Sequence, residues 1–167
     1  MLESNELARF EAAVLPHLDA AFTLARYLTR NDHDAEDVVQ DACVRALKYF
    51  DTFRGEHGTS ARAWLLTIVR NTAYTWRKGH RNDALATEFD ETEHSHIVAD
   101  PDPEAKETLS RALERLAPEF REVIVLRELQ GLSYKEIGDV AGVPVGTVMS
   151  RLSRARTQLQ RALRKED

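Results

Sequence analysis

A single cysteine, Cys43, leaves this 167-residue chain no internal disulfide. A lone thiol suits a reducing compartment and reads as a packing residue, not a redox sensor. No apolar run approaches the roughly 20 residues of a membrane span, and the first residues lack the basic-then-apolar pattern of a secretory leader. A soluble, cytoplasmic protein is the expectation. The sequence has no nucleophile elbow, no phosphate loop and no paired-carboxylate constellation, so an enzyme is not expected. His94 and His96 sit beside Glu93, but without further ligands at fixed spacing they define no metal site. No cofactor is expected either. Strand-period segments and internal repeats are also missing, which leaves an all-α chain.

What is present is charge, sorted by position. The formal net charge is −5. Residues 51–80 nevertheless carry five Lys/Arg against two Asp/Glu, and residues 146–167 carry six against two. Between them, residues 81–108 hold two against nine. Two basic blocks separated by an acidic one point to a nucleic-acid partner met at two places.

The second basic block holds the most informative stretch. Ser133 followed three residues later by Glu136 is a capping-box signature. Ile137, Val140 and Ala141 give a short helix one apolar face, and Gly142 and Pro144 can stop it and turn the chain. A second helix restarts near Gly146-Thr147. Val145, Val148, Leu152, Ala155 and Leu159 share one of its faces. Thr147, Ser150, Ser153, Arg154 and Thr157 share the opposite one, flanked by Arg151 and Arg156. Hydroxyls and arginines with almost no acid suit a helix lying in the DNA major groove, whereas an αα-hairpin that only packs has no reason to collect arginines on its free side.

Upstream, helical spacing predicts a helix over 7–29 with a break near Pro16. The 31–34 turn, with its aspartates as caps, leads into a helix over 35–50. Its inner face is Val38, Val39, Ala42, Ala46, Leu47 and Phe50, and its outer face offers Asp37, Gln40 and Asp41 to a basic partner. A third helix over 61–78 turns Trp64, Leu65, Ile68, Val69, Thr72 and Ala73 inward. Its other side shows Arg62, Arg70, Asn71, Tyr74, Arg77 and Lys78, basic groups interleaved with an aromatic and an amide, which suits unpaired bases. Residues 80–106, acidic and bearing Pro101 and Pro103, read as a flexible linker. Helices over 105–116 and 119–129 precede the helix-turn-helix. Three segments follow: a helical domain over 1–79, the linker over 80–106 and a second helical domain over 107–167. The helix-turn-helix alone leaves a repressor, an activator or another stand-alone regulator open.

The chain resembles the extracytoplasmic-function (group 4) sigma factors of the sigma-70 family. The resemblance rests on Asp37-Val38-Val39-Gln40-Asp41, on Phe53-Arg54-Gly55 before Trp64-Leu65, and on Ile68-Val69-Arg70-Asn71-Thr72-Ala73. It is completed by the run from Leu126 to Ile137 leading into Val145-Gly146-Thr147-Val148. The resemblance implies a region 2 module that docks on the coiled coil of the largest subunit of core RNA polymerase through Asp37, Gln40 and Asp41. That module would read the single-stranded −10 element with the 61–78 helix, with Asn71 at a flipped base. It implies a region 4 module reading duplex −35 DNA with Thr147, Met149, Ser150, Arg151, Ser153 and Arg154. Arg156 and Arg161 would meet phosphates or keep the helix soluble. Glu88, Asp90, Glu91, Glu93, Asp100 and Asp102 of the linker would line polymerase channels, and an anti-sigma factor would hold the protein inactive. The loop before Trp64 is longer than is typical through Glu56-His57-Gly58-Thr59, and Met149 and Ser153 depart from the family's arginine or aromatic. Neither promoter sequence can therefore be copied from other members.

Overall fold

The computed structural model describes residues 3–53, 60–80 and 102–164. Residues 54–59, with the longer loop, lie outside the described residues, as do His94, His96 and the linker acids Glu88 to Asp100. Every described element is helical.

Helices α1 (Ser4–Val14) and α2 (Leu18–Thr29) are separated by a 3₁₀ turn, Leu15–His17, that contains Pro16. Proline has no N–H for the helical ladder, which explains the expected break. Arg30 closes α2 in the left-handed region at φ 65°. Helix α3 (Asp32–Lys48) is capped by Asn31, whose side chain accepts from the Asp34 N–H at 3.0 Å. The aspartates were expected to cap; Asp32 instead turns inward to the Arg26 guanidinium at 2.6 Å. Ala35, Val38, Ala42 and Ala46 form the buried stripe of α3. Val39 is half-buried and still packs against the core, while Leu47 is 38% exposed and leaves the inner face assigned to it. The run of alanines lets α2 and α4 approach closely, and a residue one step off that stripe points about 100° away.

Helix α4 (Ala61–Gly79) starts at Ser60, whose hydroxyl accepts from the Ala63 N–H at 3.0 Å. Leu65, Leu66, Val69, Thr72 and Ala73 are buried. Trp64 and Ile68 are only half-buried. Trp64 joins an aromatic cluster with Phe50 and Phe53, at centroid distances of 6.1 and 5.0 Å.

The C-terminal half begins with α5 (Pro103–Glu114), capped by the Asp102 carboxylate. The expected linker therefore ends before its assigned boundary at 106, because Pro103 occupies the first helical position, where its missing N–H costs nothing. Helix α6 (Pro118–Ile124) runs on through a wide π turn, Val125–Leu129. There the Gln130 N–H donates to the Val125 carbonyl, five residues back, at 3.0 Å. Helix α7 (Tyr134–Ala141) carries the expected capping box between Ser133 and Glu136 and ends on Gly142 at φ 71°. Helix α8 (Val145–Arg164) follows.

The two halves are in contact. Helices α2 and α4 pack on α5, α6 and α7, and one apolar cluster runs from Leu24 and Leu66 through Leu113 and Leu126 to Leu152. The sequence pointed to two modules on a tether; the structure closes one against the other.

Gly138 holds the helix-turn-helix angle. A Cβ there would lie 2.8 Å from the Val143 carbonyl oxygen, a backbone atom that cannot swing aside. Gly138→Ala, normally favourable inside a helix, is expected to destabilise the protein by about 1–3 kcal/mol, the usual cost of overpacking. Urea unfolding checks this, and a neutral or stabilising result would remove the steric role.

Candidate nucleic-acid interface

Helix α8 buries Val148, Leu152 and Ala155 against the rest of the C-terminal half. This leaves Met149 (54% exposed), Ser150, Ser153 and Arg154 facing solvent, with Thr147 and Arg151 half-buried beside them. Val145, expected on the apolar face, is instead 42% exposed, because it is the first helical residue and lies beyond the packed stripe. The hydroxyls of Ser150 and Thr157 fold back onto the carbonyls of Thr147 and Ser153, both at 3.1 Å. That leaves their oxygens able to accept and the helix surface smooth. Arg156 is held by Glu128 at 2.8 Å, and that bond raises its pKa. Arg161 is exposed. The first turn contains no acid, so the unpaired N–H groups and the arginines present one sign of potential to an anion.

The six α4 candidates divide into two groups. Asn71 and Lys78 are exposed and Arg77 is half-buried. Arg62, Arg70 and Tyr74 point across the seam into the C-terminal half. Arg62 Nη1 donates to the Gln130 carbonyl at 2.9 Å. Arg70 Nε donates to Glu122 Oε1 at 2.5 Å, and the Tyr74 hydroxyl donates to Glu122 Oε2 at 3.1 Å. The Arg70 guanidinium also lies over the Tyr74 ring, 4.0 Å from its centroid, and reaches Asn71 Oδ1 at 3.3 Å. Burial and then the Glu122 charge push the Tyr74 phenol far above its ordinary pKa. Burial works most strongly on Arg70, against its charge, but the bond to Glu122, the Glu122 charge and Tyr74 together outweigh it and the pKa rises.

The sequence reading missed the partners in this seam. Glu122 is fully buried. Beside it Arg121 donates to the carbonyls of Leu113, Leu116 and, across the seam, Tyr27, at 3.1, 2.8 and 2.7 Å. Burial lowers its pKa to about 10, still charged at neutral pH. Farther along, Arg26 reaches Glu114 at 3.4 Å, and the Tyr27 and Ser110 hydroxyls meet at 3.0 Å.

On α3, Asp37, Gln40 and Asp41 are all exposed. Asp37 stands 3.9 Å from His33, and Asp41 stands 3.4 Å from Arg45. Next to them Val44 is 65% and Tyr49 51% exposed, and Leu47 shares that surface. The charged face thus continues into an apolar one. Cys43 is half-buried, and burial raises its pKa, the reverse of a reactive thiolate. Among the described residues no group of histidine, cysteine and carboxylates is placed to hold a metal.

Comparison with known proteins assigns both halves. The sigma-70 region 2 family profile matches residues 13–82, and the sigma-70 region 4 profile matches residues 106–159. The chain is 36% identical over 166 residues to the ECF RNA polymerase sigma factor SigE of Mycolicibacterium smegmatis, covering 93% of this chain and 62% of that protein. It therefore spans somewhat less than two thirds of that relative's length. It is 37% identical over 150 residues to the ECF RNA polymerase sigma-E factor of Haemophilus influenzae, covering 82% of this chain and 77% of that one. Among solved structures it resembles the sigma factor RpoE in complex with the anti-sigma factor NepR from Bartonella quintana. There the identity is 33% and the TM-score 0.77, covering 93% of this chain and 97% of that one.

The Glu136 carboxylate ties the α7 cap to this seam, since it also accepts from the Ser60 hydroxyl at 3.3 Å. The Ser133 backbone N–H holds its pKa below the ordinary value. A depressed carboxyl contributes stability above its unfolded pKa and loses it as pH falls through the folded one. Glu136→Gln should therefore be less stable than the parent at pH 7, by under about 1 kcal/mol for a largely solvated cap. The difference should vanish once the pH has fallen well below the folded-state pKa, which itself lies below the ordinary carboxylate value. Denaturant titrations at several pH values check the crossover; a pH-independent difference would assign the effect to packing.

Proposed function

The chain belongs to the extracytoplasmic-function sigma factors of the sigma-70 family, and from that premise we propose how its surfaces divide the work of promoter recognition. The α3 face of Asp37, Gln40 and Asp41, with Val44, Leu47 and Tyr49 alongside, docks on the coiled coil of the largest subunit of core RNA polymerase. Exposed carboxylates beside exposed aliphatic side chains suit a partner helix that is basic on one flank and apolar on the other.

Helix α8 reads the duplex −35 element. The observation that carries this reading is its split surface: a fully packed apolar stripe behind, and Met149, Ser150, Ser153 and Arg154 exposed in front. The Arg154 guanidinium suits guanine O6 and N7, with Arg151 beside it. Met149 suits a thymine methyl, while Thr147 at the helix start suits a phosphate.

Helix α4 reads the non-template strand of the −10 element. An amide such as Asn71 can pair with the edge of an unstacked base. Arg62, Arg70, Arg77 and Lys78 suit phosphates, and Tyr74 offers a stacking surface. No bond to the DNA is made or broken. Strand opening is driven by the binding of bases already leaving the stack, so the protein acts as a specificity subunit and not as an enzyme. Its place of action is the cytoplasm, where the polymerase works; among the described residues no helix is long and apolar enough to cross a membrane. An anti-sigma factor, as in the Bartonella quintana complex, would control it by covering these surfaces.

Run-off transcription with purified core polymerase on a genomic promoter library tests the proposal. Start sites that appear only when the protein is added are expected. If the protein alone shifts duplex DNA and confers no start sites, a stand-alone regulator replaces this reading. Arg154→Ala should weaken promoter binding by the holoenzyme roughly 5- to 150-fold, the 1–3 kcal/mol of one bidentate base contact. Its affinity for core polymerase should be unchanged. An equal loss on templates with and without the −35 element would remove Arg154 from base readout.

A further inference from the structure

In the closed structure the surface assigned to the −10 strand already has an occupant. Glu122 on α6 is fully buried, and each of its two oxygens is taken by a different α4 group. Oε1 takes the Arg70 guanidinium and Oε2 takes the Tyr74 hydroxyl, at 2.5 and 3.1 Å. An anionic oxygen pair held by a guanidinium and a phenol is the arrangement a phosphodiester would adopt on the same two side chains. The Gln130 carbonyl, from the end of the π turn, takes Arg62 in the same way. Three of the six α4 candidates are thus bound to the C-terminal half, while the outward face of α8 stays exposed.

We propose that Glu122 is a built-in competitor for the −10 strand, so that the free protein holds its single-strand surface shut until the seam between α4 and α6 opens. The inference rests on the α4 reading given above and adds a regulatory device to it. It requires the seam to be specific in geometry yet small in net free energy, and its chemistry has that character. Removing a carboxylate and a guanidinium from water costs nearly as much as their attraction returns. Opening restores water to both, and a strand of phosphates then supplies a replacement anion. At the other end of the seam, Arg26–Glu114, Tyr27–Ser110 and the Arg121 bond to the Tyr27 carbonyl close the halves with further polar contacts. These reform only when both halves return to register. The block is selective: duplex recognition by α8 needs no change at the seam, whereas single-strand recognition by α4 does.

Two full-length variants test this. Glu122→Gln keeps the side-chain volume but removes the charge that holds Arg70. Ser110→Arg adds bulk opposite Tyr27, at the far end of the seam, without touching any α4 candidate, and serves should Glu122→Gln fail to fold. Each is compared with the parent by small-angle X-ray scattering and by fluorescence anisotropy. The anisotropy probes are a labelled single-stranded oligonucleotide of mixed sequence and a duplex of the same composition. A larger radius of gyration is expected in both variants. Single-strand affinity should rise about tenfold, within the usual 5- to 150-fold range for coupled sites, and duplex affinity should be unchanged. A compact variant with parental single-strand affinity would overturn the competitor while leaving the α4 reading in place. An open variant with no gain in single-strand affinity would overturn the α4 reading, and the competitor with it. An equal gain on both probes would trace the effect to lost negative charge, and would also overturn the proposal.

Discussion

Everything in the seam follows from the cost of keeping charge away from water. Arg121 and Glu122 are neighbours in sequence, both buried, and reach different partners from α6. A buried ion without partners would cost several kcal/mol, so each side chain dictates what must surround it. The Arg121 guanidinium draws in the carbonyls that end α5 and one from α2, and this fixes the angle between α5 and α6. The Glu122 carboxylate requires a cation and a hydroxyl from α4. The first interaction builds the C-terminal half, and the second determines where the N-terminal half can sit against it.

Some of this was legible in the sequence. The helix-turn-helix was, because its determinants are local: Ser133 and Glu136 cap each other three residues apart, and Gly142 supplies the left-handed turn. The break at Pro16 was legible for the same reason. The inner face of α3 was read with one excess member, since a helical stripe is narrower than the list of apolar residues near it; Val39 packs at its edge and Leu47 falls outside it. Asn31 took the cap that was expected from the aspartates because Asp32 had a stronger claim on it from Arg26.

The seam was not legible. Arg70 and Glu122 lie 52 residues apart, and no periodicity links them. Read alone, Arg62, Arg70 and Tyr74 form a basic, aromatic helix face that looks free for a ligand. A faint signal did exist in α6, where Arg121 and Glu122 interrupt Phe120, Val123 and Ile124. A short helix that is apolar on nearly every side must be buried on nearly every side, and any charge within it must be paired. The apolar part of the α3 surface was not legible either, since Val44, Leu47 and Tyr49 come together only on the folded helix.

The π turn at Val125–Leu129 has a consequence for how the C-terminal half is indexed. By carrying a bond that spans five residues instead of four, it holds one residue more than a regular helix would over the same length. Each residue of an α-helix accounts for about 100° of rotation. This segment therefore works like the offset tooth of a gear. It sets the bearing of α7 and α8 relative to Glu122, and hence the direction in which the arginines of α8 face when the seam is engaged. Loss of one residue here would let a regular helix cover the same length and keep the bearing of α7 and α8. The same loss from the regular turns of α6 would turn the whole recognition unit by more than a quarter of a circle, with every base-facing side chain intact and aimed elsewhere.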